Sequence, residues 1–283
     1  MSNSAGRSGC GRSASSAPIR AVLAGPLVAL MVLVVACAGS SSGSSDSSSA
    51  SAAAAPTTVR VLAASSLASV LPDLVDGFRR EYPGVTVETS TGASTALVEQ
   101  VRAGVGADVV LTADRSTADA AADAVDGNGA AGDRSEEAAP EPFATNTLVI
   151  AVPVGNPGEV DGLDALSDPD LLVGLCAPQV PCGRYARQLL ADAGVSAAVD
   201  TEEPDARSLM AKITSGDLDA GLVYRTDVLA AGPTALVVAV PGAAKVPVTY
   251  FAVARAQGGG TEFVDYLQGP GRKVLTAAGF GLP

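Results

Sequence analysis

Val59-Arg60-Val61-Leu62-Ala63-Ala64 is an extended apolar run that ends in the pair Ser65-Ser66, and Leu67, Val70, Leu71, Leu74, Val75 and Phe78 then recur at helical spacing. A strand, a small-residue corner and an amphipathic helix make the unit from which parallel sheets are built. Pro72 is tolerable there because it falls near the first turns of the helix. The unit repeats at once. Val85-Thr86-Val87-Glu88-Thr89 reads as a second strand, Thr91-Gly92-Ala93-Ser94 as the corner, and Leu97, Val98 and Val101 as the buried face of a second helix. A third strand, Ala107 to Thr112, follows at the same spacing, so the class is α/β with mostly parallel sheets flanked by helices.

Downstream the rhythm loosens and then resumes. Asp114 to Pro142 is rich in Ala, Asp, Glu and Gly and reads as a polar surface helix, a connection, or both. Phe143 to Pro153 is a strand pattern, Leu171 to Cys176 another, Gly183 to Ala193 a helix, and Asp205 to Ser215 a helix with Leu209, Met210 and Ile213 on one face. Ala220 to Tyr224, Leu236 to Val240 and Val246 to Val253 are extended, and Glu262 to Ala278 is a closing helix or helix pair. Length and order fit two α/β lobes, the first comprising 57–142 plus 248–283 and the second 143–247, with the chain end returning to the first.

Upstream, Arg7, Arg12 and Arg20 precede an uncharged stretch from Ala21 to Ala36, and Val34-Val35-Ala36-Cys37 closes it. This reads as a lipoprotein leader over 1–36, with Cys37 as the lipid attachment point; the alternative is a single anchoring helix, for which the segment is short. Ala38 to Pro56 is nearly all Ser, Ala and Gly, a composition that buries no apolar surface, so 37–56 is expected to act as a flexible tether. The folded part then begins at Thr57 and works outside the cytoplasm, anchored to the membrane through lipid.

Composition excludes more than it suggests. The chain has 283 residues and no histidine, which rules out a Ser-His-Asp or Cys-His relay and every histidine metal ligand. Net charge is −12 and becomes 15 − 30 = −15 without the three leader arginines, so nucleic acid is not an expected partner. Lys212, Lys245 and Lys273 are the only lysines, and none lies in a serine-lysine motif that could activate a nucleophile. No enzyme and no cofactor is expected. Cys176 and Cys182 lie in Leu-Cys-Ala-Pro-Gln-Val-Pro-Cys-Gly. In an oxidising compartment they form a disulfide, the alternative being two buried thiols.

Four places share one local grammar, in which a strand or loop ends, small or hydroxyl residues follow, and a helix begins: Ser66, Ser94, Cys182 and Ala206. A helix start leaves amide hydrogens unpaired and carries about half a positive charge, so four converging starts would match roughly a dianion without lysine or arginine. The plainer reading makes Ser66 and Ser94 ordinary helix caps and Tyr224, at a strand end, a core residue.

The ordered set Ala63-Ala64-Ser65-Ser66-Leu67, Gly92-Ala93-Ser94-Thr95-Ala96-Leu97, Gly106-Ala107-Asp108-Val109-Val110-Leu111-Thr112-Ala113-Asp114, Val180-Pro181-Cys182-Gly183-Arg184-Tyr185 and Ala220-Gly221-Leu222-Val223-Tyr224 resembles the molybdate-binding proteins of bacterial ABC importers over nearly all of 57–283. The resemblance implies a two-lobed periplasmic-binding-protein-like (type II) fold with a ligand cleft between the lobes. It also implies capture of molybdate or tungstate for an ABC permease, by a monomer, with molybdenum held only as its oxyanion. Carried over by motif, the ligand donors are the hydroxyls and amides of Ser66 and Ser94, the amides of Cys182 and Ala206, and the phenol of Tyr224. Asp205 and Arg225 are expected to lie outside the site. The alternatives are a binding protein for another oxyanion such as sulfate, or a surface lipoprotein that binds another protein.

Overall fold

The computed structural model describes residues 57–127, 139–255 and 259–283. The leader over 1–36, Cys37, the tether to Pro56 and part of the 114–142 connection lie outside them.

The opening unit forms β1 (Thr57–Ala64) and α1 (Leu71–Glu81). Alternation along β1 sends Val59, Val61 and Ala63 into one core and Leu62 into another on the opposite face of the sheet. Helix α1 buries Leu71, Leu74, Val75 and Phe78, each worth about 1.5–3 kcal/mol in transfer terms, and Phe78 meets Phe263 edge to face at 5.0 Å. The helix starts later than the apolar spacing predicts. Ser65–Leu67 is a single 3-10 turn, and α1 begins only at Leu71, where Pro72 occupies the first turn and needs no amide partner.

The chain continues as β2 (Val85–Gly92), α2 (Ser94–Arg102), β3 (Val109–Thr112) and α3 (Arg115–Gly127). Within the ambiguous alanine-rich region, α3 packs Ala118, Ala121, Ala124 and Val125 against α2 and the sheet, because alanine combines high helix propensity with close approach. The single strand expected over 143–153 is two strands, β4 (Glu141–Asn146) and β5 (Leu148–Pro153), which belong to different sheets. The change falls at Thr147, so the expected boundary at 143 lies inside β4. Beyond it come β6 (Val173–Cys176), α4 (Pro181–Ala193), β7 (Val199–Glu203), α5 (Ala206–Ser215), β8 (Ala220–Tyr224), α6 (Arg225–Ala231) and β9 (Ala235–Val238). The chain then returns through β10 (Val248–Ala254), and the closing segment is a helix pair, α7 (Gly260–Gln268) and α8 (Arg272–Ala277). Gly269-Pro270-Gly271 separates these two helices, as proline in a helix interior requires.

Two sheets result, in the orders β2-β1-β3-β10-β4 and β7-β6-β8-β5-β9. They have the same design. Three strands pair in parallel, the fourth enters antiparallel, and the fifth pairs antiparallel to it, so four strands of each sheet point one way. The antiparallel strand is in each case the one that follows a crossing from the other sheet: β5 after Thr147, and β10 after the segment from Val238 to Val248. This is the two-lobed α/β architecture with two crossings.

Candidate functional site

All five residues singled out in the sequence, Ser66, Ser94, Cys182, Ala206 and Tyr224, line one cavity of about 10 Å³. A void of that size is about the least that holds one water-sized guest. Its walls come from both sheets. Ser65, Ser66, Ser94 and Ala113 approach from the strand ends of the first, and Cys182, Asp205, Ala206 and Tyr224 from those of the second. Ser66, Ser94, Cys182, Ala206 and Tyr224 are all buried.

Three helices start here. The residues before α2 and α4 are Ala93 and Val180, neither of which has a side chain able to cap, and neither helix has a side-chain cap. Their first amides therefore lack the usual local acceptor. In α4 the first position is Pro181, which has no N–H, so Cys182 offers the first amide of that helix. Helix α5 is capped by Asp205, whose Oδ1 accepts from the Ser208 amide at 2.9 Å, and this leaves the Ala206 amide at the helix mouth. The fourth expected helix start, at Ser66, is the short 3-10 turn. The converging field is thus that of three helices, or roughly one and a half positive charges.

Two further contacts shape the α4 corner. Cys176 and Cys182 are joined by a disulfide, with Cα atoms 5.7 Å apart, which ties the first turn of α4 to the end of β6. Gly183 sits so close to that strand end that an added Cβ would lie 1.9 Å from the Ala177 carbonyl oxygen. Only glycine fits there.

The hydroxyls have a common polarity. The backbone amide of Ala113 donates to Ser94 Oγ at 3.2 Å, and the Tyr250 hydroxyl donates to Ser66 Oγ at 2.9 Å. Each serine oxygen already accepts one hydrogen bond, which favours pointing its own hydrogen at a guest. Tyr224 Oη is buried and has no hydrogen-bond partner among the described residues. Burial above all, with Tyr250 and Asp227 adding to it, raises the Tyr224 phenol well above its ordinary pKa, so the group stays protonated and remains a donor.

No lysine or arginine lines the cavity among the described residues. Arg225 is exposed and borders a different groove, as expected. Asp205 departs from expectation by lining the cavity, where its Oδ1 accepts from the Ser208 amide of α5. Beside the cavity the two halves are tied by an ion pair that the sequence did not reveal, in which Arg184 Nε donates to Asp114 Oδ2 at 2.9 Å. Asp114 Oδ1 meanwhile accepts from the Thr117 amide at 2.8 Å, capping α3. A larger groove of about 400 Å³ runs alongside, over Ser65, Arg207, Met210, Thr214 and Asp227.

The cleft lies between two like-built α/β halves, and the chain belongs to the bacterial extracellular solute-binding protein family, whose model matches residues 59–281. It is 32% identical over 234 residues to the molybdate-binding protein ModA of Mycobacterium tuberculosis, covering 80% of this chain and 85% of that one. To the molybdate-binding protein ModA of Escherichia coli it is 30% identical over 230 residues, covering 75% and 84%. The fold is also that of the periplasmic molybdate-binding protein of Azotobacter vinelandii, with TM-score 0.65, 22% identity and coverage of 80% and 99%. The sulfate-binding protein SubI of Mycobacterium tuberculosis is equally similar in shape, with TM-score 0.65, 20% identity and coverage of 79% and 86%.

Proposed function

We propose that this protein captures molybdate, and tungstate with it, outside the cytoplasm and delivers it to an ABC permease. The observation that carries the reading is the buried, unpartnered Tyr224 hydroxyl, in the wall of a cavity where three helix starts and two serines also offer donors. An orphaned buried donor is costly, about 1–3 kcal/mol, and a tetrahedral oxyanion supplies the missing acceptor. The molybdate-binding relatives support the choice of ligand.

The guest is held by hydrogen bonds and no bond is made or broken. A buried dianion must recover its lost hydration, and dispersed neutral donors do this while leaving the complex able to release its cargo. Hydrogen phosphate carries a proton for which the wall offers few free acceptors, since Asp205 Oδ1 is taken by the Ser208 amide, so it is disfavoured. Sulfate meets the same charge requirement, and titration ranks it against molybdate. The hinge of that closure is Thr147 together with the segment between Val238 and Val248, and Arg184 with Asp114 bridges the lobes in the closed form. The protein acts as a monomer, and Cys37 carries the lipid that anchors it to the cell membrane.

Calorimetric and thermal-shift titration with molybdate, tungstate, sulfate and phosphate tests this directly. Molybdate at a hundred times its dissociation constant adds about 2.7 kcal/mol to the folded state. Stabilisation by sulfate alone would favour the second reading, a sulfate-binding protein, which the likeness to SubI keeps specific.

A further inference from the structure

Ser66 does not receive its hydrogen bond from a lone tyrosine. Tyr250 belongs to β10, the strand by which the chain returns to the first sheet, and its side chain is fully buried. Its hydroxyl accepts from Asn146 Nδ2 at 3.4 Å, a long contact, and donates to Ser66 Oγ at 2.9 Å. Asn146 is the last residue of β4 and also buried. Its Oδ1 accepts from the Thr147 amide at 2.9 Å, and its Nδ2 also donates to Thr226 Oγ1, in α6, at 2.8 Å.

The backbone amide sets the direction of this chain. An amide N–H can only donate, so Thr147 fixes the carboxamide oxygen of Asn146 toward itself and turns the NH2 group toward Tyr250. Tyr250 Oη, receiving that hydrogen, has its own left to give, and Ser66 Oγ takes it. The Ser66 hydrogen is then left for the cavity. Burial also pushes the Tyr250 phenol well above its ordinary pKa, so it does not lose the hydrogen it gives.

We propose that Asn146 and Tyr250 are positioning residues for oxyanion selectivity: they bias Ser66 toward donating, and through it make the cavity disfavour oxyanions that still carry a proton. This rests on the oxyanion reading above and adds the source of its discrimination. Freed from Tyr250, the Ser66 hydroxyl can rotate and accept, which is what a protonated guest requires. Asn146 ends the strand before the first crossing and Tyr250 sits near the start of the strand after the second, so the polarity of the site is set close to where the halves are joined.

Sulfate and hydrogen phosphate provide the probe, since they are dianions of similar size that differ by one proton. Both are competed against molybdate at pH 7.5 on the purified wild type, Tyr250→Phe and Asn146→Asp, each melted first without ligand. Tyr250→Phe is expected to weaken molybdate by about three- to tenfold, the scale of one neutral hydrogen bond. It should also shrink the preference for sulfate over phosphate by about tenfold. Asn146→Asp offers Tyr250 an acceptor in place of a donor and draws the Ser66 hydrogen inward, so molybdate weakens further while phosphate loses less. A structural role alone would lower affinity for both probes together and leave their ratio fixed. An unchanged ratio in the variants overturns the inference, as does a wild type that takes phosphate as readily as sulfate, whatever the variants do. A wild type that binds no oxyanion overturns the proposed function instead.

Discussion

Replacing Tyr224 by phenylalanine removes one oxygen atom from the wall of the cavity, and the two states of the protein should respond in opposite directions. Without ligand, the Tyr224 hydroxyl is buried, with 2% of the residue exposed and no partner among the described residues. Deleting an unsatisfied buried donor recovers about 1–3 kcal/mol. For a chain of this size, each kcal/mol moves the melting temperature by about 2–4 °C. The unliganded variant should therefore melt a few degrees higher than wild type. With molybdate bound, the same hydroxyl donates to a charged oxygen, an interaction of about 1.5–3 kcal/mol, so its loss should weaken binding by about ten- to a hundredfold. Differential scanning calorimetry on the free protein and isothermal titration with molybdate read the two numbers separately. The stabilising and weakening effects must come together. A variant that melts lower than wild type and binds molybdate equally well would refute the reasoning, because the hydroxyl would then be serving the fold and not the guest.

Other expectations follow from individual contacts. Ser94→Ala removes a proposed guest donor and also strands the Ala113 amide, so it should cost affinity and about 1–3 kcal/mol of stability together in denaturant titrations. Gly183→Ala drives a methyl into the Ala177 carbonyl. It should destabilise by about 1–3 kcal/mol or more and weaken molybdate through the displaced Cys182 amide, as seen by melting and titration. Arg184→Gln cuts the ion pair to Asp114, and stopped-flow displacement should show several-fold faster ligand release with little change in melting temperature. Burial raises the Asp227 carboxyl from 3.8 to about 8, against the Tyr224 backbone amide and with Asp205 adding to the rise. As pH climbs from about 4, the unfolded chain loses this proton first and the folded form keeps it until about 8, so stability falls across that window. Asp227→Asn should flatten the fall in a pH series of melting curves.

Local rhythm made much of this fold legible. The first three strands and the helices α2, α4 and α5 follow from apolar spacing and small-residue corners, since side-chain periodicity and helix starts are properties of neighbouring residues. What escaped was set at a distance or by the backbone. Thr147 carries no glycine or proline to mark the change of sheet, so 143–153 looks continuous in sequence although its two halves pair with different partners. The strand β7, Val-Asp-Thr-Glu-Glu, is a polar sheet edge and lacks the apolar signal of a strand. The seven-residue α6 follows Tyr224 without a break and buries only Thr226 and Val228. Within the site, residues named from motif order meet at one cavity, whereas their supports did not show. Tyr250 and Ser66 are 184 residues apart and Asn146 and Tyr250 104, and no local pattern links such positions. The pairing of Arg184 with Asp114 is hidden for the same reason.

The place of β10 has a consequence for the newborn chain. This strand lies inside the first sheet, between β3 and β4, yet it is made after every strand of the second sheet. Until residues 248–254 emerge, β3 keeps a bare edge and β4 has no neighbour to zip onto, an arrangement prone to mispairing with other chains. A stop codon just before Val248 would spare all the strands of the second sheet and cripple the first, so the half that begins earliest is the last to be finished.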